Sequence, residues 1–157
     1  LLRDDAYRFI SIGRKIERAD MTARILKVAG GDILSRENQF IDLQPFLWGA
    51  LLDALYAKSA FRKIKGPVIS KEQTLDFILN CTNFPRSISH CIDDIDREVT
   101  NLPENSALKI ILRKQKRLIN KYNIKEVDFE QIANFNKEFQ DNLIAMNKTL
   151  YKYWFDR

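Results

Sequence analysis

The sequence predicts an all-α fold, a bundle of about six helices with no sheet. Five glycines and four prolines interrupt the 157 residues, too few for the many tight turns of a β-sandwich or barrel. No segment shows a sustained alternation of apolar and polar residues bounded by turn signals, which is the pattern of a half-buried strand. The C-terminal segment instead repeats apolar residues at spacings of three and four, as a helix does.

The first three predicted helices are marked by their breakers and caps. The first helix runs from Asp5 to about Val28, and Gly30-Gly31 ends it. Residues 31–44 predict a connector, after which Pro45, suited to a first helical turn, opens a second helix that continues to about Ile64. Ser70, with Gln73 three residues later, caps a short third helix through Leu79.

The last three helices follow from the same signals. Pro85 opens a fourth helix to about Thr100, because proline at a first turn removes no hydrogen bond within the helix. The fifth helix begins at Ser106 and ends near Tyr122. Asp128, with Gln131 three residues later, caps the sixth helix, whose apolar positions continue as far as Tyr153.

Length and composition limit the type of protein. The chain predicts one helical domain, residues 1–157, and the lack of an initiator methionine predicts that it is a fragment of a longer protein. No apolar run approaches the roughly 18 residues of a membrane span and no signal peptide is seen, so a soluble cytoplasmic protein is expected. Two cysteines and one histidine exclude disulfide frameworks and zinc ribbons, so no metal site is predicted.

The basic charge is concentrated in the fifth helix. The net charge is +5, and residues 106–125 contain seven basic residues and no acidic one. An apolar inner face would leave these cations outside, which predicts a surface for an acidic partner around Lys114, Lys116 and Arg117. A merely solvated face is the alternative. Nucleic-acid binding is disfavoured, because few aromatic residues lie between the cations.

The first helix has charged residues where apolar ones are expected. On a helical wheel its apolar face consists of Phe9, Ile10, Gly13, Ile16 and Ala23. Glu17, Asp20 and Arg24 lie in the middle of that face, so we predict that they are less than half exposed. They form either a closed ion-pair network or a ligand site in which Glu17 acts as acid or base.

Two further features point to the same site. Glycine inside a helix costs about 1 kcal/mol relative to alanine, so Gly13 predicts close approach by another helix or by a ligand. Arg86 and Ser87 lie at the predicted start of the fourth helix, where free N–H groups favour an anion. Arg86 either holds a carboxylate or phosphate there or crosses to pair with Glu17 or Asp20.

Two stretches of the sequence resemble the bacterial alpha-E domain family. The first is GRKIERADMTAR at 13–24, and the second is DFIL at 76–79 followed by NFPRS at 83–87. Both occur in the family's order and separation, with Trp48 and residues 51–62 similar between them, so the resemblance covers roughly residues 4–102. Family members are usually about twice this length, and this chain looks like their C-terminal half.

The resemblance implies which residues form the site. The family's charged positions fall on Arg14, Glu17, Arg18, Asp20, Arg24 and Arg86. The expected ligand-binding residues are Arg14, Asp20, Arg24, Arg86 and Ser87. Glu17 is the expected catalytic residue if the domain has an activity of its own.

The resemblance also implies a function and a partner. Genes of the family neighbour or fuse with circularly permuted ATP-grasp proteins and transglutaminase-like proteins. The chain is therefore expected to be an accessory or binding domain of an ATP-grasp amide-ligase or peptide-modification system. Its partner would be such a protein, or its own N-terminal half. A stand-alone enzyme of amide or peptide chemistry and a structural scaffold are the alternatives.

We predict that the chain alone shows no ATPase or ligase turnover and needs no cofactor. It contains no Walker loop, no Gly-x-Gly-x-x-Gly and no serine elbow to hold phosphates or a nucleophile. The measurement is phosphate release from ATP by the purified chain, with Glu17→Gln as the control for contamination. Hydrolysis that this variant abolishes would contradict the accessory role.

Overall fold

A computed structural model describes residues 3–156 of the chain, with side chains from Asp4 onward. Leu1, Leu2 and Arg157, at the ends of the predicted domain, lie outside the described residues. Within residues 3–156 the regular structure is helical and no strand occurs, so the all-α prediction is confirmed. No helix in this part of the chain is long and apolar enough to cross a lipid bilayer.

The helices have the following bounds, in chain order. Helix α1, Arg3–Ile25, continues through a π-helical turn, Leu26–Gly30, into α2, Gly31–Ser35. The other α-helices are α3 Gln44–Ala54, α4 Lys58–Lys65, α5 Lys71–Asn80, α6 Ile88–Thr100, α7 Ser106–Lys121 and α8 Phe129–Phe155. Short 3-10 turns, Ile41–Leu43 and Ile124–Glu126, precede α3 and α8.

Gly30 and Gly31 do not end the first helix, as the sequence predicts, but lie inside it. Both have right-handed helical backbone angles, and both are buried. A Cβ atom on Gly30 would lie 3.1 Å from Leu26 Cδ1, and one on Gly31 would lie 3.5 Å from the ring of Phe129. These glycines therefore allow close packing rather than a turn, and the predicted connector begins only after Ser35.

The second predicted helix is divided into α3 and α4 by a tight turn. Tyr56 has a φ of 52°, in the left-handed region, and the N–H of Ala57 donates to the carbonyl of Leu52 at 2.8 Å. Neither glycine nor proline occurs in this turn, so the usual sequence signal for a break is missing. The prediction of one helix from Pro45 to Ile64 is therefore wrong.

Two predicted N-caps are confirmed. Ser70 Oγ accepts from the N–H of Gln73 at 3.2 Å at the start of α5. At the start of α8, Asp128 Oδ1 accepts from the N–H of Gln131 at 2.8 Å, and the Gln131 side chain accepts from the N–H of Asp128. Pro85 does not open α6 as predicted, because it lies in the turn before that helix.

Helices α1, α6, α7 and α8 form an antiparallel bundle, in which α1 and α7 each contact both α6 and α8. Near the start of α1, Phe9 packs against Trp154 near the end of α8, with 4.2 Å between ring centroids. The buried Gln115 of α7 donates to the carbonyl of Phe139 of α8 at 3.0 Å. Helices α3 and α5 lie beside this bundle, α3 against the π-helical turn and α5 against α6.

Asp96 joins α6 to α7. Lys109 Nζ and Lys116 Nζ donate to its two carboxylate oxygens at 2.6 and 2.7 Å. Burial disfavours ionisation of Asp96, but the two lysine hydrogen bonds outweigh burial and hold the carboxyl pKa below its usual range. The pair of contacts is therefore a pH-dependent link between the two helices.

We predict that Asp96→Asn lowers the free energy of unfolding by about 1–2 kcal/mol at neutral pH, because two charge-assisted hydrogen bonds weaken. A carboxyl with a depressed pKa stabilises the fold above its unfolded-state pKa, and this contribution is lost as the pH falls through its folded-state pKa. The difference between wild type and variant, measured by urea denaturation, should therefore shrink below about pH 4.

The matched control is Asp53→Asn, which removes an exposed ion pair with Lys58. It should change the free energy of unfolding by under about 0.5 kcal/mol, because exposed pairs contribute little. A cost of the Asp96 substitution that persists undiminished in acid would contradict the electrostatic origin of the effect.

Candidate functional site

An open groove of about 700 Å³ runs between α1 and α8. Its walls combine charged side chains of both signs with side-chain amides and a few apolar groups. The charged lining residues are Glu17, Asp20, Arg24, Lys27, Lys137 and Asp141. The three charged residues singled out in the first helix therefore do reach one groove, together with charges from α8.

Asp20 is held by two hydrogen bonds in this groove. Arg24 Nε donates to Asp20 Oδ2 at 2.7 Å, which is the i,i+4 pair of a helix. Gln140 Nε2 of α8 donates to Asp20 Oδ1 at 3.0 Å. Both carboxylate oxygens are thus engaged, and Asp20 ties α1 to α8.

Other charged groups of the groove have no such partner. The side chains of Glu17, Lys27, Lys137 and Asp141 form no hydrogen bond or ion pair with any other residue that the structure describes. They are exposed, so water solvates them, and their charge remains available to a ligand. Of the two alternatives for Glu17, Asp20 and Arg24, the closed ion-pair network is therefore wrong, because only the Asp20–Arg24 pair forms.

The prediction that these charges are less than half exposed is wrong for Arg24 and confirmed for Asp20. The Arg24 side chain is 69% exposed and Glu17 is exposed, whereas the Asp20 side chain is 31% exposed. The buried face of α1 instead consists of Ile12, Ile16, Ala19, Thr22, Ala23 and Leu26. The true face is rotated on the helical wheel, because α1 packs against α6 as well as α8.

Gly13 and Arg14 lie outside the groove. An added Cβ on Gly13 would meet nothing within 4 Å, so close approach by another helix is wrong at this glycine, and approach by a ligand stays a prediction. Arg14 is exposed and does not line the groove, so it is not brought together with Asp20 and Arg24. The role of Arg14 in ligand binding stays a prediction, and Arg14 does not line the same groove as the other predicted site residues of α1.

Arg86 contacts a turn and does not line the α1–α8 groove. Its Nη1 donates to the carbonyl of Leu55 at 3.0 Å, and its guanidinium lies 5.1 Å from the ring centroid of Tyr56. The alternative in which Arg86 crosses to Glu17 or Asp20 is therefore wrong, and binding of an anion by Arg86 stays a prediction. Arg86 instead fastens the loop before α6 to the turn between α3 and α4.

Ser87 is buried and acts as the N-cap of α6. Its Oγ accepts from the N–H of His90 at 3.1 Å and donates to the carbonyl of Cys81. Both hydrogen bonds of the Ser87 hydroxyl are made within the chain, so this side chain caps the helix and is not available to a ligand. The structure thus gives Ser87 a structural role where the sequence predicts ligand binding.

Arg18 lies on the side of α1 that faces α6. Burial raises the pKa of the Cys91 thiol to about 12, and the nearby Arg18 charge opposes that rise. Cys91 Sγ donates to the carbonyl of Pro85 at 3.4 Å, so the thiol is protonated and internally bonded. Glu17 and Arg18 are adjacent in sequence, but they lie on different surfaces of the helix.

The residues of α8 that line the groove were not predicted from the sequence. Lys137, Gln140 and Asp141 are polar positions of an amphipathic helix, and many such positions only meet water. Which polar stripe of α8 faces α1 depends on the packing of the bundle. In the sequence, only the charged residues that interrupt the apolar face of the first helix indicated the position of the α1–α8 groove.

One residue of the predicted partner surface on α7 already has a partner within the chain. Lys116 donates to Asp96, so it belongs to the contact between α6 and α7. Lys114 and Arg117 are exposed and have no acidic partner in the described part of the chain, and the same is true of Arg113 and Lys121. The unpaired basic surface, which we call the α7 basic face, therefore consists of these four residues.

Comparison with known proteins gives one match. The Alpha-E family model, described as a predicted alpha-helical domain with a conserved ER motif, matches residues 1–155. The single Glu-Arg dipeptide of the sequence is Glu17-Arg18. No curated protein and no solved structure matches the chain. No group of three or more His, Cys, Asp or Glu side chains among the described residues could hold a metal ion.

We predict that Arg24→Ala changes the free energy of unfolding by under about 1 kcal/mol, because this arginine is largely solvated. Ser87→Ala should cost about 1–2 kcal/mol, because it removes a buried N-cap. Thermal or urea denaturation of both variants gives the comparison. A loss above about 3 kcal/mol for Arg24→Ala would instead require a buried network around the groove acids.

Proposed function

The chain belongs to the Alpha-E family, and we propose that it acts as an accessory binding domain for a protein that forms or modifies amide bonds. The observation that carries this proposal is the α1–α8 groove, where Glu17, Lys27 and Lys137 are unpaired among the described residues. Unpaired charges of both signs on one open surface can form charge-assisted hydrogen bonds with a polar ligand.

The groove is better suited to binding than to catalysis. Its described lining residues include no serine, threonine, cysteine or histidine, so no hydroxyl, thiol or imidazole lies beside Glu17 to form a catalytic pair with it. Asp20, the next carboxylate along α1, already accepts hydrogen bonds on both oxygens. Glu17 therefore acts, in this proposal, as a charge that recognises a ligand.

The proposed partner is an ATP-grasp or transglutaminase-like protein, as the resemblance to the alpha-E family implies. The α7 basic face is its docking surface in this proposal, because Arg113, Lys114, Arg117 and Lys121 are exposed cations without acidic partners in residues 3–156. An acidic surface would complement them and accelerate association.

We expect Lys114→Glu combined with Arg117→Glu to weaken the complex with the ATP-grasp protein of the same genome by about tenfold or more, because attraction becomes repulsion. The melting temperature should hardly change, since exposed charges contribute little to stability. Co-purification of the co-expressed proteins and a measured Kd provide the test. Lys63→Glu combined with Lys148→Glu changes the net charge equally at exposed sites outside α7 and is the control.

A second variant separates docking from recognition. Glu17→Gln should leave the complex intact and remove the effect of the chain on product formation by the partner, because it alters only the groove. A complex that survives the α7 reversal would contradict the docking surface. A full effect on product formation after Glu17→Gln would contradict the function of the groove.

A further inference from the structure

The charges of the α1–α8 groove are separated by sign along its length. Because the two helices are antiparallel, later residues of α1 lie opposite earlier residues of α8, with Asp20 bonded to Gln140 midway. Glu17 therefore lies towards one end of the groove, and Lys27 and Lys137 lie towards the other. Asp20 between them is already paired. The free acids are Glu17, at one end, and Asp141, next to Gln140 near the middle, and the two free lysines lie towards the other end.

The distance between these ends sets the length of a ligand that could touch both. The ten residues from Glu17 to Lys27 correspond to about 15 Å of helix axis. An extended peptide covers about 3.3–3.6 Å per residue, so about four residues bridge the two ends.

The wall between the charged ends offers partners for a peptide backbone. The side-chain amides of Asn134 and Asn147 form no hydrogen bond with other described residues, and Gln140 uses only its Nε2, on Asp20. Each peptide unit needs both a donor and an acceptor, and a side-chain amide supplies one of each. Ile144, which is half exposed, adds apolar surface for small side chains.

We infer that the groove binds a short peptide of about four residues with free termini, with its ammonium group at Glu17 and its carboxylate at Lys27 and Lys137. This inference rests on the proposed binding function of the groove and adds the class of ligand and its direction. The two terminal charges distinguish such a peptide from an internal segment of a protein, which carries neither.

The test is isothermal titration of the full chain with tetra-alanine at low ionic strength. The free tetrapeptide should bind, and N-acetylation or C-terminal amidation should each weaken binding roughly three- to tenfold, as loss of one partly exposed ion pair does. Glu17→Gln should remove the discrimination against the acetylated peptide only. Lys27→Gln combined with Lys137→Gln should remove the discrimination against the amide only. Lys148→Gln, an exposed lysine of α8 outside the groove, is the matched control.

The outcomes separate this inference from the function on which it rests. Equal binding of free and capped peptides would overturn recognition of the termini, although the groove would still bind peptides. No binding of any peptide, with the effect of Glu17→Gln on the partner still present, would overturn the peptide as ligand and leave the accessory function standing. Weaker binding of dialanine than of tetra-alanine would support the inferred length, and equal binding would overturn it.

Discussion

The packing of α1 between α6 and α8 is the constraint on which the rest of the structure depends. Ile12, Ile16, Ala19 and Ala23 form its buried face, and the two alanines allow the neighbouring helices to approach closely. Burial of this face fixes the rotation of α1 about its axis. The position of every charged side chain on the helix then follows, so the arrangement of the groove is a consequence of apolar packing.

Polar contacts that are partly or fully buried then fix the loops against this frame. Thr22 Oγ1 of α1 donates to the carbonyl of Arg86 at 2.7 Å, while the Arg86 guanidinium donates to the carbonyl of Leu55. In the bundle, Gln115 bonds the carbonyl of Phe139 and the side chain of Asn142. An unsatisfied polar group at such a site would cost about 1–3 kcal/mol, so these contacts favour one arrangement over its alternatives.

The two residues of the Glu17-Arg18 dipeptide face different neighbours in the bundle. Neighbouring residues of a helix point about 100° apart, so Glu17 faces the groove beside α8 and Arg18 faces α6. The exposed charges of the groove stay solvated at little energetic cost, unlike charges buried in a core. The proposed recognition of a ligand depends on their availability.

The sequence by itself determined the all-α fold, the N-caps at Ser70 and Asp128, and the place on α1 where charge collects, because helical periodicity and capping act over a few neighbouring residues. Tertiary structure alone decided that the helix passes through Gly30-Gly31, where Gly31 lies against the ring of Phe129 from α8. It also decided the break at Tyr56, the separation of Arg86 from the groove and the stripe of α8 that completes it. These features depend on how helices rotate against one another, which no local pattern specifies.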